Sequence, residues 1–511
     1  MEKTLSTSAI QKLLKGMLLC CSATVLIATI YALISQSRNS LGDIPISVPA
    51  GSHEIAWLAP SNSSVTWQRF VEAVLFFSHS NCGQDISIDT RGAFPSNPRT
   101  IPAIKFTWKS KSLIWSWYRT DDEYEIVGKL ITRIPQPIAI IGGASTESAI
   151  KLATAITKDG SPNVIDRPVM ILTTATANHL RGNERNFHGR ENLMTLHKGL
   201  SFRFGFSNYQ MATLILEFLK QQNTWSGPLP APWIMRWVDD PYATDLEEAI
   251  DSAWRSLPEK DKIQKGFSQI ISIKSSVGGL QRPNSDELLA ASNFASRAIV
   301  NSNTEGNWLA LCGQLFPSRR LLKTLAQFTD SRLKGYTIIS GDTLGFNTVY
   351  RDWEELWPVK DLPFSVVFFC HQNPVSSEYG FNPNPPAEKK NLASGTDDLL
   401  LNRDLIQALT EAWRNIGEAD HSATLASVIR NIKYSHDGPR FAPLEADFSF
   451  LFDNDGNRNS GSGEHIVTLS PSRLPRDMKK EGTVEVWSAN GLTASSRFSR
   501  IRQLIQPVFS K

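Results

Sequence analysis

The stretch from Ile138 to Leu180 constrains this chain more than any other, because it reads as strand, glycine turn, helix, strand, polar turn. Two strands that point the same way need a crossover between them, and a helix is the usual one, so this succession calls for a parallel α/β sheet. Ile138-Ala-Ile-Ile141 is an apolar run of the kind buried on both faces of such a sheet, and Gly142-Gly143 lets the backbone turn sharply after it. Ser145 is a good N-cap, Glu147 suits the first turn, and Ala149, Ile150, Ala153 and Ile156 recur at helical spacing until Asp159-Gly160. Pro168-Val-Met-Ile-Leu172 is the next strand and runs into Thr173-Thr-Ala-Thr-Ala-Asn178, a turn of small hydroxyl residues. The plain reading makes both turns ordinary βα connections. The functional reading notes that the carboxyl ends of parallel strands are where such sheets bind small polar ligands.

A chain of 511 residues exceeds what one core holds, so two lobes are expected. Lysine and arginine total 53 against 50 acidic residues, a net charge of +3, and no basic stripe carries interleaved aromatics, which speaks against a nucleic-acid partner. Gly16 to Ile34 contains no charged residue and is long enough for a helix across a bilayer core of ~30 Å. Lys12 and Lys15 precede it and only Arg38 follows closely, which places the N-terminus in the cytoplasm and the rest outside the cell membrane, a single-pass arrangement. A cleaved signal peptide ending near Ser35-Gln36-Ser37 is the rival, disfavoured because the apolar run is long for a signal core. Beyond this segment Cys82, Cys312 and Cys370 are odd in number and scattered, so they define neither a disulfide framework nor a zinc motif.

After a linker, His53–Ala59 reads as a first strand, followed by the polar loop Pro60-Ser-Asn-Ser-Ser64 and an amphipathic helix over Trp67–Phe77. Ile104–Trp108 and Leu113–Trp117 read as a tryptophan-rich strand pair inserted before the helix Glu123–Ile134. Phe202-Arg-Phe-Gly-Phe206 is a short strand, and from Trp233 to Ser340 a second run of βα alternation sets in. Phe448–Phe452 and Glu464–Leu469 read as a hairpin. Catalytic signatures are missing: no GxxxxGK loop, no GxSxG elbow, no HExxH and no CxxC, and Gly142-Gly143 does not complete a GxGxxG fingerprint. No cofactor is implied. Asp453, Asp455, Asn457 and Glu464 fall at calcium-loop spacing, but Arg458 stands where that loop needs glycine, so a polar turn is the better reading and no metal site is assigned.

Taken in order, Ile140-Ile-Gly-Gly-Ala-Ser-Thr146, Pro168–Thr176, Phe202–Phe206, Val238-Asp-Asp-Pro-Tyr242 and Phe450-Leu-Phe-Asp453 with Asp455-Gly456-Asn457 resemble the type 1 periplasmic binding protein family, and within it the branched-chain amino-acid (Leu/Ile/Val) binding group of ABC transporters. The resemblance covers roughly residues 53 to 470 and implies two Rossmann-like doubly wound α/β lobes joined by a three-strand hinge, preceded here by one N-terminal transmembrane helix. Together with the anchor read from the uncharged run, this divides the chain into a cytoplasmic N-terminus (1–15), an anchor (16–35), a linker (36–52), a first lobe (53–204), a second lobe (205–364), a return to the first (365–440), and a return to the second with a tail (441–511). The crossings then fall near Phe202–Ser207, Phe364–His371 and Gly438–Pro443.

The resemblance further implies that Ser145, Thr146, Thr174 and Thr176 hold a ligand carboxylate, that Tyr242 covers the ligand from the second lobe, and that Asp342 takes its amino group. The anion assignment agrees with the free N–H groups of a helix start. For Tyr242 the competing reading is a turn aromatic packed on its own lobe. The expected function is a membrane-anchored extracytoplasmic (periplasmic) solute-binding protein, not an enzyme, that closes on a small polar molecule such as an amino acid and is read by an ABC permease or a signalling partner. A degenerate module kept for protein contacts is one alternative, and an enzyme of unknown type is another.

Overall fold

The computed structural model describes residues 48–497 apart from 158–166, 181–190, 222–227, 301–306, 346–363, 375–396, 442–448, 471–482 and several shorter breaks. The expected anchor over Gly16–Ile34 and the loop residues 61–63 lie outside the described residues; among the described ones no helix is long and apolar enough to cross a membrane.

The first lobe is built on β1 (Ser52–Ala59), β2 (Ser87–Asp89), β3 (Ala103–Trp108), β4 (Lys111–Arg119), β5 (Ala139–Gly142), β6 (Val169–Leu172) and β9 (Ser201–Arg203), in the order β2-β3-β4-β1-β5-β6-β9. Two-residue strands β7 (His179–Leu180) and β8 (Glu191–Asn192) pair outside this sheet. From β4 to β9 all pairings are parallel. The apolar runs sit in this sheet because both of its faces are covered. One face carries Ile55 and Trp57 under α1 (Ser64–Ser78), α8 (Asp397–Asn415) and α9 (Ser422–Arg430), and the other carries Ala56 and Leu58 under α2 (Glu123–Thr132) and α3 (Thr146–Thr157).

The tryptophan-rich pair is not an insertion. β4 lies inside the sheet, parallel to β1 and antiparallel to β3, and its Trp117 packs 5.2 Å from Trp67 of α1. Large aromatics suit that place because they fill the layer between sheet and helix.

The second lobe holds β10 (Trp233–Trp237), β11 (Gln269–Ile273), β12 (Trp308–Cys312), β13 (Thr337–Ser340), β14 (Ser365–Cys370), β18 (His465–Ser470), β19 (Thr483–Ser488) and β20 (Gly491–Arg497) in the order β11-β10-β12-β13-β14-β18-β19-β20. Its helices are α4 (Asn208–Gln221), α5 (Pro241–Arg255), α6 (Ser285–Val300) and α7 (Leu315–Ala326). Trp237, Trp308 and Phe368 lie in its buried core.

The described residues place the chain's passages between the lobes after β9, after β14 and after Phe452; the first two fall at the expected crossings, while the lobe boundary at 364 and the third crossing shift. β14 is parallel to β13, so the second lobe extends past residue 364 to Cys370. The expected return at 441 comes later as well. β15 (Lys433–Ser435), β16 (Gly438–Arg440) and β17 (Ser449–Phe450) form a small sheet against α8, and Leu451 and Phe452 still belong to the first-lobe core. The third crossing is therefore the segment from Leu451 to Glu464 rather than Gly438–Pro443. The hairpin expected from Phe448–Phe452 and Glu464–Leu469 does not form either: β17 pairs with β15, and β18 with β14. The alternation of apolar residues marks each segment as a strand but does not select its neighbour.

The crossings are bonded to one another. The Arg203 N–H donates to Gly456 O (2.9 Å), Arg458 donates to Phe204 O (3.0 Å), and the Phe206 N–H donates to His371 Nδ1 (3.0 Å). Gly456 has φ +85°, and a Cβ there would stand 2.1 Å from Ser201 O, so only glycine fits against β9.

Candidate functional site

A cavity of about 230 Å³ opens at the carboxyl ends of β1, β5 and β6. The strand ends supply Ala59, Gly142, Ala144, Thr173 and Thr174, while α1 adds Arg69 and α8 adds Asp398 and Asn402. All of these belong to the first lobe. Gly143, at φ +68°, makes the sharp exit from β5, and a Cβ there would press within 2.7 Å of Leu172. α3 starts directly afterwards. Ser145 is half-buried and its hydroxyl accepts the Ser148 N–H (3.2 Å), the capping bond expected of it. Thr174 ties the two strand-end turns together by donating to Ala144 O (3.1 Å).

The six sequence-derived site residues do not converge. Thr174 lines the cavity and Ser145 flanks it at the helix start. Thr146 and Thr176 are buried, and neither hydroxyl has a hydrogen-bond partner among the described residues. Tyr242 and Asp342 meet each other instead: the Tyr242 hydroxyl donates to Asp342 Oδ1 (3.0 Å), with Gly341 leaving room for the ring. Burial, reinforced by the Asp342 charge, pushes the Tyr242 phenol well above its ordinary pKa. His371 Nε2 donates to Asp342 Oδ2 (3.0 Å), a tautomer set by the Phe206 N–H that Nδ1 accepts. Asp342 is thus engaged at the second crossing, and the ring of Tyr242 lies in the core of its own lobe.

Sequence reasoning missed Arg69, Asp398, Asn402 and Arg203. Arg69 carried little signal, because it stands one position off the apolar face of Phe70 and Val74, beside Thr66 and Glu72 on the polar side of the helix. Arg203 carried a clearer one, a charge between Phe202 and Phe204 in a buried strand. Its guanidinium donates to Thr176 O (3.1 Å), Asn178 Oδ1 (2.9 Å) and Ala177 O (2.6 Å), and so sets the shape of the second turn. Burial pushes its pKa down to about 10, against the opposing charges of Asp245 and Asp453. Asp398 gave no signal, because nothing local places the start of α8 over the end of β1.

The spacing that suggested a calcium loop is a turn held by its own side chain. Asp453 Oδ1 accepts the N–H groups of Asp455 (2.9 Å) and Asn457 (2.8 Å). Among the described residues no group of three or more His, Cys, Asp or Glu is placed to hold a metal ion.

No protein-family model and no curated protein matches the chain. Solved structures do. A solute-binding protein of an ABC transporter from R. palustris, in complex with 4-hydroxybenzoate, matches at a TM-score of 0.51 with 10% identity over 84% of this chain and 95% of that one. A solute-binding protein from Rhodopseudomonas palustris BisB5, in complex with 3,4-dihydroxybenzoic acid, matches at 0.51 with 11% identity over 84% and 95%. A substrate-binding protein from Desulfitobacterium hafniense, in complex with Leu, matches at 0.47 with 15% identity over 84% and 99%. At such identities the likeness is one of fold: the chain has the type 1 periplasmic binding fold of ABC-transporter substrate-binding proteins.

Proposed function

We propose that this protein is an extracytoplasmic solute-binding protein, anchored by Gly16–Ile34, that takes a small carboxylate at the strand ends of its first lobe and serves an ABC permease or a signalling partner. The observation that carries the reading is the cavity between Thr174, Arg69 and Asp398. Its volume of about 230 Å³ falls below the range typical of drug-sized ligands, roughly 300–1,000 Å³, which suits a molecule the size of an amino acid or a benzoate. A helix start and the Arg69 guanidinium, which also reaches Glu72 (3.2 Å), favour an anionic group, and the Asp398 carboxylate favours a donor or a cation. The benzoates held by the R. palustris proteins are carboxylates of this size.

The test is titration calorimetry of the chain against a panel of amino acids and aromatic acids. Thr174→Val and Arg69→Gln should each weaken the ligand that binds by roughly ten- to a hundredfold, the loss of one charge-assisted hydrogen bond. Thr176→Val, whose hydroxyl is buried away from the cavity, should leave affinity unchanged. A ligand insensitive to Thr174→Val and Arg69→Gln would move the site elsewhere. The second reading, a module kept for protein contacts, draws on the internal pairing of Tyr242, Asp342 and His371, and a panel without any binder would favour it.

A further inference from the structure

Asp245 lies on α5 of the second lobe, 4% exposed, and its carboxylate is turned toward the first lobe. Oδ2 accepts the Asn178 N–H (2.9 Å) and Oδ1 the His179 N–H (2.7 Å), two successive backbone donors at the end of the turn that follows β6. Asn208, the first residue of α4, donates its side-chain N–H to Oδ2 (2.9 Å). His179 Nδ1 stands 3.7 Å away. From the other side Arg203 gathers the acceptors of Thr176, Ala177 and Asn178. With its carbonyls drawn toward the guanidinium, the turn is left with N–H groups to offer α5. A buried carboxylate on two backbone N–H groups and an amide is bound as an anionic ligand is bound.

We infer that Asp245 is an internal latch: a second-lobe carboxylate, seated on a first-lobe backbone N–H pair, holds the two lobes together. The latch acts on the turn that also carries Thr173 and Thr174 of the cavity, so lobe contact and the shape of the ligand site depend on one segment. The hydrogen bonds that the buried acid accepts come from backbone N–H groups and an amide, neutral donors that leave the contact free to break when the lobes separate. The inference rests on the two-lobed fold and not on any ligand, so a failed ligand panel leaves it standing and its own failure leaves the cavity reading intact.

The experiment uses the full chain in detergent with no ligand added, and follows amide exchange together with the distance between spin labels at Leu75→Cys on α1 and Leu289→Cys on α6, both exposed positions. In Asp245→Asn, which keeps the shape and loses the charge, the amides of Asn178 and His179 should exchange about tenfold faster or more. The label separation should lengthen and broaden, while β5 and β10 keep their native protection. Asp245→Ala should show the same changes more strongly, and if it does not fold, Asp245→Asn decides alone. Native exchange at 178–179 or an unchanged label separation in Asp245→Asn overturns the latch. Loss of protection throughout both sheets overturns it too, because Asp245 then supports the core rather than a contact between lobes.

Discussion

Asp240 stands in the turn after β10, caps α5 by accepting the Tyr242 N–H (3.0 Å), and is only 6% exposed. Burial raises its pKa from 3.8 to about 6, against the hydrogen bonds it accepts from Gln314 and from the backbone of Ala243 and Tyr242. A folded-state value above the unfolded one means that between those two pH values the folded protein keeps a proton that the unfolded chain has released. Stability therefore falls as pH rises through that window and levels off above about 6. A shift of about two pH units corresponds to about 3 kcal/mol. Asp240→Asn keeps a capping oxygen and removes the buried charge. It should therefore raise stability at pH 7.5 by about 2–3 kcal/mol and change it little at pH 4. Urea unfolding of both chains at the two pH values, followed through tryptophan fluorescence, measures the difference. Equal midpoint shifts at pH 4 and 7.5 would refute the reasoning, since a packing effect has no such pH dependence.

Gly456→Ala forces a side chain against Ser201 O at a positive φ, so it should cost about 2 kcal/mol or more and loosen the third crossing from β9, visible as faster exchange of the Arg203 amide. Glu287 and Arg320 form a buried pair in the second lobe, with Arg320 Nε and Nη2 donating to the two carboxylate oxygens (2.9 and 2.6 Å) and Trp237 donating to Oε1 (3.2 Å). Glu287→Gln leaves that guanidinium without its counter-charge and should cost about 3–5 kcal/mol in chemical denaturation, whereas a loss below about 1 kcal/mol would show the pair to be dispensable.

Periodicity carries a long way in this chain. Ile138–Ile141 and Val169–Leu172 are apolar throughout because parallel strands are covered on both faces, and Gly143 and Ser145 announce the turn and the helix start through local chemistry alone. That is why the two runs of βα alternation, and the strand-end turns that border the cavity, were legible in the sequence. Strand neighbours were not: β4 reads the same whether it stands inside the sheet or in an appended hairpin, and β17 the same whether it pairs with β18 or with β15. Hydroxyl-rich composition likewise says nothing of direction, so Thr174 faces the cavity while Thr176, two residues on, is sealed under Asn208 and Arg203. The contacts that tie the lobes and their crossings together join residues far apart in the chain, Asp245 to Asn178 across 67 positions and Arg458 to Phe204 across 254. Helix and turn signals act over three or four residues, and only the packing of two lobes brings such partners within hydrogen-bond reach.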